Sequence, residues 1–439
     1  MSGAAVAITG FAGMLVLLGL RMPIGLAMLT VGSFGYIHFT SLAIFLNYMK
    51  TTPYHLFANY TLSVIPLFVL MGALAEKSGL STALFRAAAA FLGHLRGGLG
   101  MALIGACTGF GAICGSSVAT TATFGRATLP EFRRYNYDPG FATGMIAVGG
   151  TLGILIPPSV ILVVYAITTE QNIAKLFMAA LIPGLLAALF YCIVIAIMVR
   201  LRPEAGPALE RVGWADRLKV VVGVWPVMLI AVTVVGGIYG GIFTPTEGAS
   251  VGCIAMLAVG LLQRTLGWRE IKLSVIQTAE TSAMIFMILL GAEVFNAFLA
   301  LSQLPELAAQ VVTQSGLPPY GIIVALLVFY IILGGVMDEL AMILLTLPIF
   351  FPIVVALDLG MPSDDVAIWF GILVLMVVGI GLTAPPIGLN VFVISAIAKD
   401  VPIVSTYRGV LPFVAADVMR LGLVVAFPAL ALWLVNWLT

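Results

Sequence analysis

The residues best suited to binding chemistry lie where long apolar segments are interrupted by Gly, Pro, hydroxyl and acidic residues. Four such interruptions occur, at residues 115–117, 153–159, 334–339 and 381–390. Their hydroxyls, backbone carbonyls and few carboxylates are hard oxygen ligands, which suit Na⁺ and disfavour soft metals. The helix N-termini that such breaks create attract anions. The four interruptions together therefore indicate a site that binds a cation and an acid.

The elements that must position these residues are membrane-spanning helices. Hydrophobic residues make up 62% of the 439 residues and charged residues only 9%, whereas soluble domains have about 45–50% apolar and about 25% charged residues. The apolar runs are near the ~20 residues that a spanning helix needs and lack the alternation of barrel strands. Because backbone leaves the helix in hydrocarbon only where protein or trapped water satisfies it, paired broken helices at the midplane are typical of secondary transporters.

Composition and spacing exclude several other classes of protein. The net charge of +1 provides no basic face for a nucleic acid. The four cysteines lie in apolar runs without a CxxC pair, and the three histidines lack metal-ligand spacing, so disulfide and metalloenzyme chemistry have no support. No nucleophile and base occur at matching depth, which argues against an intramembrane enzyme. A channel conflicts with two blind-ended hairpins.

The two halves of the sequence present the same order of segments. In each half, three spans precede a short amphipathic arm, a re-entrant hairpin, a helix broken at Pro-Pro and a closing span. The pattern G-x-x-x-P-P occurs at 153–158 and again at 381–386. Basic residues flank the first hairpin, whereas no Lys or Arg lies between Lys272 and Lys399. The first hairpin should therefore enter from the cytoplasm and the second from the outside.

This order predicts an all-α polytopic membrane protein built from inverted repeats, with two re-entrant hairpins and two broken helices. The first repeat is predicted at residues 1–199, a cytoplasmic linker at 200–219 and the second repeat at 220–439. The predicted segments of the first repeat are scaffold spans 1–76, an arm 78–96, a hairpin and broken helix 98–169 and a closing span 174–199. Those of the second are scaffold spans 220–291, an arm 293–316, a hairpin and broken helix 318–398 and a closing span 401–439.

Five motifs in this order resemble those of a known family, the large membrane (M) subunit of TRAP (tripartite ATP-independent periplasmic) transporters. The resemblance covers essentially the whole chain, and its most specific parts are GLTAPPIGLNVF at 381–392 and FTPTE at 243–247. The motifs are GSSVATTA at 115–122, LIPPS at 155–159, FTPTE at 243–247, MD at 337–338 with TLP at 346–348, and GLTAPPIGLNVF at 381–392.

The resemblance implies an elevator-type importer in the bacterial inner membrane that is driven by Na⁺. Its substrate would be a small organic acid, C4-dicarboxylate-like or a sugar acid. A soluble periplasmic substrate-binding (P) protein would deliver the acid, and a small membrane (Q) subunit, expected here as a separate chain, would complete the complex. Both hairpins and both broken helices would form a mobile domain held by the scaffold spans and arms.

The resemblance also implies specific site residues. One Na⁺ is expected between the first tip and the first break, and a second between the second tip and the second break. The substrate carboxylate is expected between the two tips. The expected Na⁺ residues are Gly115, Ser117, Gly153 and Pro157 in the first site, and Gly335, Asp338, Thr383 and Gly388 in the second. The expected substrate residues are Ser116, Ser117, Thr383, Asn390 and Arg126.

Simpler structural roles compete with these assignments. Ser116 and Ser117 have the side chains of helix N-caps, and Asp338 has that of a cap for the second hairpin helix. Arg126 stands where a small residue is usual in the family, and its side chain can extend toward the cytoplasm instead of meeting a carboxylate. A second function also stays open, a stand-alone Na⁺-coupled carboxylate symporter that needs no binding protein.

Overall fold

The structure is a computed structural model that describes residues 3–314, 316–335 and 337–438. The described part contains twenty α-helices and no strand. Six of these helices, and α4 (Val64–Lys77) together with the 3₁₀ turn Tyr60–Ser63 before it, are long and apolar enough to cross a membrane, and one further pair, bent by 44°, forms a broken span. The predicted all-helical membrane fold with hairpins and broken helices is confirmed. Val336, at the predicted second tip, lies outside the described residues.

The first half contains ten helices, of which two form a hairpin and two form a broken helix. The first hairpin is α6 with α7, and the first broken helix is α8 with α9. The helices are α1 (Gly3–Gly19), α2 (Ile24–Phe39), α3 (Leu42–Phe57), α4 (Val64–Lys77), α5 (Leu80–Leu92), α6 (Gly98–Cys114), α7 (Ser117–Arg134), α8 (Pro139–Leu155), α9 (Val160–Thr168) and α10 (Ile173–Leu201).

The second half repeats this order, with a hairpin of α15 and α16 and a broken helix of α17 and α18. Its closing span ends in an additional short helix. The helices are α11 (Trp214–Tyr239), α12 (Pro245–Leu262), α13 (Trp268–Ser302), α14 (Leu304–Gln314), α15 (Pro319–Gly334), α16 (Glu339–Val355), α17 (Ser363–Gly381), α18 (Leu389–Ile397), α19 (Ile403–Ala426) and α20 (Ala429–Leu438).

Three elements differ from the boundaries that the sequence predicts. Helix α3 was not expected, because Lys50 and Pro53 interrupt its apolar pattern. Helix α13 runs for 35 residues and includes the start of the predicted second arm, so the arm helix α14 begins only at Leu304. The predicted closing span 401–439 divides at Phe427-Pro428 into α19 and α20.

Close backbone packing holds the scaffold helices together. Helices α2, α4 and α12 pack on one another or on the long helix α13. A Cβ on Gly25 would lie 2.8 Å from the Met287 carbonyl oxygen, and one on Gly32 would lie 2.7 Å from the Phe295 nitrogen. Small residues permit this approach between α2 and α13, as is common in membrane helices.

The two hairpins and two broken helices pack into a second group. Nearly every residue of α8 and α17 is buried, α8 against the first hairpin and α17 against the second. The short second helix of each broken helix contacts the hairpin of the other half: α9 packs on α16 of the second hairpin, and α18 packs on α7 of the first. Each break is therefore brought to the hairpin of the other half as well as to its own.

Candidate functional site

The first hairpin turns sharply at Gly115 and Ser116. Gly115 has a φ of +64°, a left-handed conformation that favours glycine. Ser116 precedes α7, and its Oγ accepts a hydrogen bond from the Ala119 N–H at 3.4 Å. The Thr120 hydroxyl donates to the Ser116 carbonyl at 2.7 Å. Ser116 thus caps α7, and it still presents oxygens at the tip.

The first tip lies directly against the first break. A Cβ on Gly115 would lie 2.9 Å from the Pro158 carbonyl oxygen, and a Cβ on Gly153 would lie 2.6 Å from the Ser116 carbonyl oxygen. Only glycine allows backbone to approach this closely at both positions. The structure therefore brings Gly115, Ser116, Gly153 and the residues beside Pro157 together.

Asn390 links the second broken helix to the first hairpin. Its Nδ2 donates to the Ser117 Oγ at 2.7 Å and to the Ala147 carbonyl at 3.0 Å. Both Ser117 and Asn390 are fully buried. Asn390, expected beside a substrate between the tips, therefore lies at the first tip and contacts α7 and α8.

Three buried oxygens around this tip lack a hydrogen-bond partner among the described residues: Thr121 Oγ1, Ser159 Oγ and Asn390 Oδ1. A Cβ on Gly150 would lie 3.1 Å from Asn390 Nδ2 and would overlap Thr121 Oγ1. The side chains of Asn390 and Thr121 therefore both pack against Gly150 of α8. Leaving a buried acceptor unpaired costs about 1–3 kcal/mol. A bound ion or an ordered water would satisfy these oxygens. Our sequence-based residue set lacks Thr121, Gly150 and Ser159, although two motifs contain Thr121 and Ser159.

The second hairpin meets the second break in a similar way. Asp338 caps α16, since one of its carboxylate oxygens accepts from the N–H groups of Leu340 at 3.1 Å and Ala341 at 3.0 Å. The Gly335 carbonyl accepts from the Ile387 N–H at 3.1 Å. The structure therefore brings Gly335 to the second break, and the cap role of Asp338 is observed.

Thr383 and Gly388 shape the second break. Gly388 has a φ of +58° and precedes α18. The buried Thr383 hydroxyl lies 3.3 Å from the Gly379 carbonyl and 3.1 Å from the Ile380 carbonyl, to which it donates. Its hydrogen is thus used on the last turn of α17, and its lone pairs are the part that a ligand could use.

Gly381→Ala is expected to lower the free energy of unfolding by about 1–3 kcal/mol, the usual cost of overpacking. A Cβ on Gly381 would lie 2.7 Å from the Gly334 Cα, so α15 and α17 would have to separate. The measurement is reversible unfolding of the purified protein in mixed micelles. Gly422→Ala is the matched control, because nothing lies within 4 Å of its added methyl group. Equal stability of the two variants would contradict the close approach.

A cavity of about 850 Å³ lies between the two tips and the scaffold helices α2, α4 and α13. The predicted substrate residues Ser117, Thr383 and Asn390 are fully buried and are not among the residues that line this cavity. The polar residues among its lining include Glu76, Ser116, Arg126, Gln277, Asp338 and Glu339. The predicted substrate residues Ser116 and Arg126, and the predicted ion residues Gly115 and Asp338, are thus brought to one space.

Arg126 contacts a carboxylate of the protein itself. Its Nη2 lies 3.0 Å from Glu76 Oε1, which joins the first hairpin to the scaffold helix α4. Glu76 also pairs with Lys77 at 3.2 Å and accepts from Gln277 Nε2 at 3.3 Å. The Arg126 side chain is 58% exposed, so it remains accessible from the open end of the cavity.

A buried charged cluster lies apart from the cavity, between α8, α10 and α19. Arg420 Nη2 and Asp417 Oδ1 are 2.8 Å apart, and the Tyr191 hydroxyl donates to Asp417 Oδ2 at 2.7 Å. The same hydroxyl lies 3.0 Å from Thr151 Oγ1. Sequence reasoning missed this cluster, although an Asp and an Arg three residues apart in an apolar span were a visible signal.

Comparison with known proteins agrees with this architecture. Residues 11–430 match the family described as "Tripartite ATP-independent periplasmic transporter, DctM component". The C4-dicarboxylate TRAP transporter large permease protein DctM of Pseudomonas aeruginosa is 38% identical over 381 residues, 87% of each chain. The isethionate TRAP transporter permease protein DctMQ of Oleidesulfovibrio alaskensis is 31% identical over 97% of this chain and 65% of that one. The crystal structure of the Alcanivorax borkumensis YdaH transporter superposes with a TM-score of 0.64, at 14% identity over 90% of each chain.

Proposed function

Because the chain belongs to the family of the DctM component of tripartite ATP-independent periplasmic transporters, we propose that this transporter subunit imports a small organic acid by Na⁺ symport. The relatives are named as permeases for C4-dicarboxylates and isethionate, so the family serves several acids. C4-dicarboxylate-like acids and sugar acids are the substrates proposed from the motifs. The relatives are named as transporter subunits and not as enzymes.

The orphaned buried oxygens at the first tip carry this proposal. Thr121 Oγ1, Ser159 Oγ and Asn390 Oδ1 have no hydrogen-bond partner in the described part of the chain, and the Ser116 carbonyl lies against Gly153 of the first break. All are hard, neutral oxygens, which fit Na⁺. A second Na⁺ is proposed at Gly335, Asp338, Thr383 and Gly388, where the second tip meets its break. A bound Na⁺ would draw each tip onto its break and complete the substrate space between them.

The separation of the structure into two packed groups supports an elevator mechanism. The cavity lies between the scaffold helices and the group that contains both hairpins and both broken helices. Its lining extends from the tips to Glu76 and Arg126, which the charge pattern assigns to the cytoplasmic side. This arrangement is consistent with an inward-facing state. A membrane potential of about 100 mV, negative inside, would contribute roughly 2.3 kcal/mol for each charge moved inward.

The proposed complex includes a periplasmic substrate-binding protein and a small membrane subunit. The family description itself names a tripartite transporter. This chain spans 65% of the relative named DctMQ, which leaves room there for a second, fused component. The proposed location of this multi-pass protein is the bacterial inner membrane.

Uptake by proteoliposomes tests the function directly. The protein is reconstituted with and without candidate binding proteins and small subunits, and uptake of labelled acids is compared with Na⁺ imposed or withheld. We expect uptake only with an inward Na⁺ gradient and a binding protein. Transport that ignores Na⁺ would refute symport, and Na⁺-driven uptake without any binding protein would favour the stand-alone symporter.

Ser117→Ala is expected to raise the Na⁺ concentration for half-maximal uptake about 2- to 12-fold. The hydroxyl is buried and held by Asn390 at the first tip, and losing one such interaction is worth about 0.5–1.5 kcal/mol. The Na⁺ dependence of uptake is measured at a fixed substrate concentration. Ser363→Ala, at an exposed position at the start of α17, is the matched control. An unchanged Na⁺ dependence would remove Ser117 from the ion site.

A further inference from the structure

Glu339 presents an unpaired carboxylate oxygen to the cavity. It is the first residue of α16 and lines the cavity next to Asp338. Its Oε2 is buried and has no hydrogen-bond partner among residues 3–314, 316–335 and 337–438. An ionised carboxylate out of contact with water is costly unless it is paired with a cation. Glu339 therefore places an unpaired carboxyl oxygen in the cavity, and a cationic partner would stabilise its charged form.

The other charged groups in the lining are already engaged. Arg126 pairs with Glu76 at 3.0 Å, and Asp338 uses a carboxylate oxygen to cap α16. The charged lining residues among those described are three acids and one base, so the wall is negative overall. A dicarboxylate would bring two more negative charges to this wall and leave Glu339 without a partner.

We propose that Glu339 binds the cationic nitrogen of a zwitterionic substrate, such as an amino acid or a related ammonium acid. This inference rests on the proposed import of an organic acid, and it replaces the C4-dicarboxylate-like and sugar acids proposed above with a zwitterionic acid. The substrate's carboxylate would lie at the first tip, where Ser116 and the N-terminus of α7 face the same cavity. Its nitrogen would make a charge-assisted hydrogen bond with Glu339 at the second tip. Like-charge repulsion would reject dicarboxylates.

Two triads of matched probes test this assignment: 4-aminobutyrate, succinate and butyrate, and β-alanine, malonate and propionate. Their binding to the full-length protein is measured in saturating Na⁺ by thermal stabilisation and calorimetry. We expect each zwitterion to bind at least tenfold more tightly than its diacid and its monoacid. Glu339→Gln should reduce zwitterion binding about tenfold or more, because a charge-assisted hydrogen bond becomes a neutral one. Glu280→Gln, an exposed acid on α13 outside the cavity lining, should bind as the wild type does.

Several results would overturn the assignment. These are tighter binding of the diacids, no binding of the zwitterions, or an unchanged zwitterion preference in Glu339→Gln. Thermal stabilisation by Na⁺ alone reports on folding and on the ion sites, and the Glu339→Gln variant should still be stabilised by Na⁺. Loss of this stabilisation in the variant would make Glu339 an ion ligand. A diacid preference with Na⁺ stabilisation intact refutes this inference alone. Failure of all six probes together with absence of Na⁺ stabilisation counts against the proposed function.

Discussion

Asp417→Asn is expected to lower the free energy of unfolding by about 3–5 kcal/mol, the usual effect of removing one partner of a buried ion pair. The Asp417 and Arg420 side chains are only 2% and 1% exposed. An amide at position 417 would leave the Arg420 guanidinium positive and without its counter-charge. Since Arg cannot lose its proton in a protein, the cost cannot be avoided by neutralisation.

The cluster of Asp417, Arg420 and Tyr191 connects three helices, so loss of the ion pair affects more than one contact. The Arg420 Nη1 donates to the Pro183 carbonyl at 3.0 Å, which ties α19 to α10. The Tyr191 hydroxyl extends the network to Thr151 on α8, two residues before Gly153. The charged pair therefore fixes both closing spans against the broken helix that carries the first break. A variant that survives in the membrane should also bind Na⁺ more weakly.

A double-variant cycle separates the missing counter-charge from lost packing. The measurement is reversible unfolding in mixed micelles, followed by tryptophan fluorescence. Asp417→Asn combined with Arg420→Met should be more stable than Asp417→Asn alone, because the uncompensated charge is gone. Arg133→Gln is the matched control, since the Arg133–Asp400 pair is half exposed on both sides and such pairs are worth at most about 1 kcal/mol. A loss below about 1 kcal/mol for Asp417→Asn would contradict the argument, because it would match exposed pairs.

The fold could be predicted from sequence where local rules decide it. Helices α6, α8, α15 and α17 end close to the predicted breaks at 115–117, 153–159, 334–339 and 381–390, where clustered Gly and Pro residues disfavour continued helix. Helix α3 and the long α13 could not be predicted in this way. In α3 only Phe45 is buried, and the 35 residues of α13 run past the predicted start of the arm without a Gly or Pro cluster to end the helix.

The site was predictable only in its backbone features. The contacts of Gly115 and Gly153 follow from motifs that the sequence displays. The hydrogen bond from Asn390 to Ser117 joins residues 273 positions apart, and no local pattern indicates which hairpin a broken helix will meet. The ion and substrate assignments, the orientation and the repeat boundaries stay predictions, for which the experiments above are designed.

Asn390→Ala should have the largest effect on transport of the changes proposed, because this side chain joins three elements of the first ion site. Removing it leaves the Ser117 hydroxyl without its donor and deletes the orphaned Oδ1 that we propose as a Na⁺ ligand. The loss of about 1–3 kcal/mol that such buried groups carry corresponds to a rise of about 5- to 150-fold in the half-maximal Na⁺ concentration. Half-maximal substrate concentration should rise with it, since ion and substrate favour the same loaded state.

The comparison of Asn390→Ala with Ser117→Ala distinguishes an ion ligand from a packing residue. If Asn390 Oδ1 binds Na⁺, the alanine variant at 390 should require more Na⁺ than the one at 117, and the double variant should add little, because both changes remove parts of one site. Uptake by proteoliposomes over a range of Na⁺ concentrations provides the measurement. Asn436→Ala, exposed on the last helix, is the matched control. A normal Na⁺ dependence in Asn390→Ala would show that α18 reaches the first hairpin for packing alone, and the ion would then have to be sought among Thr121 and Ser159.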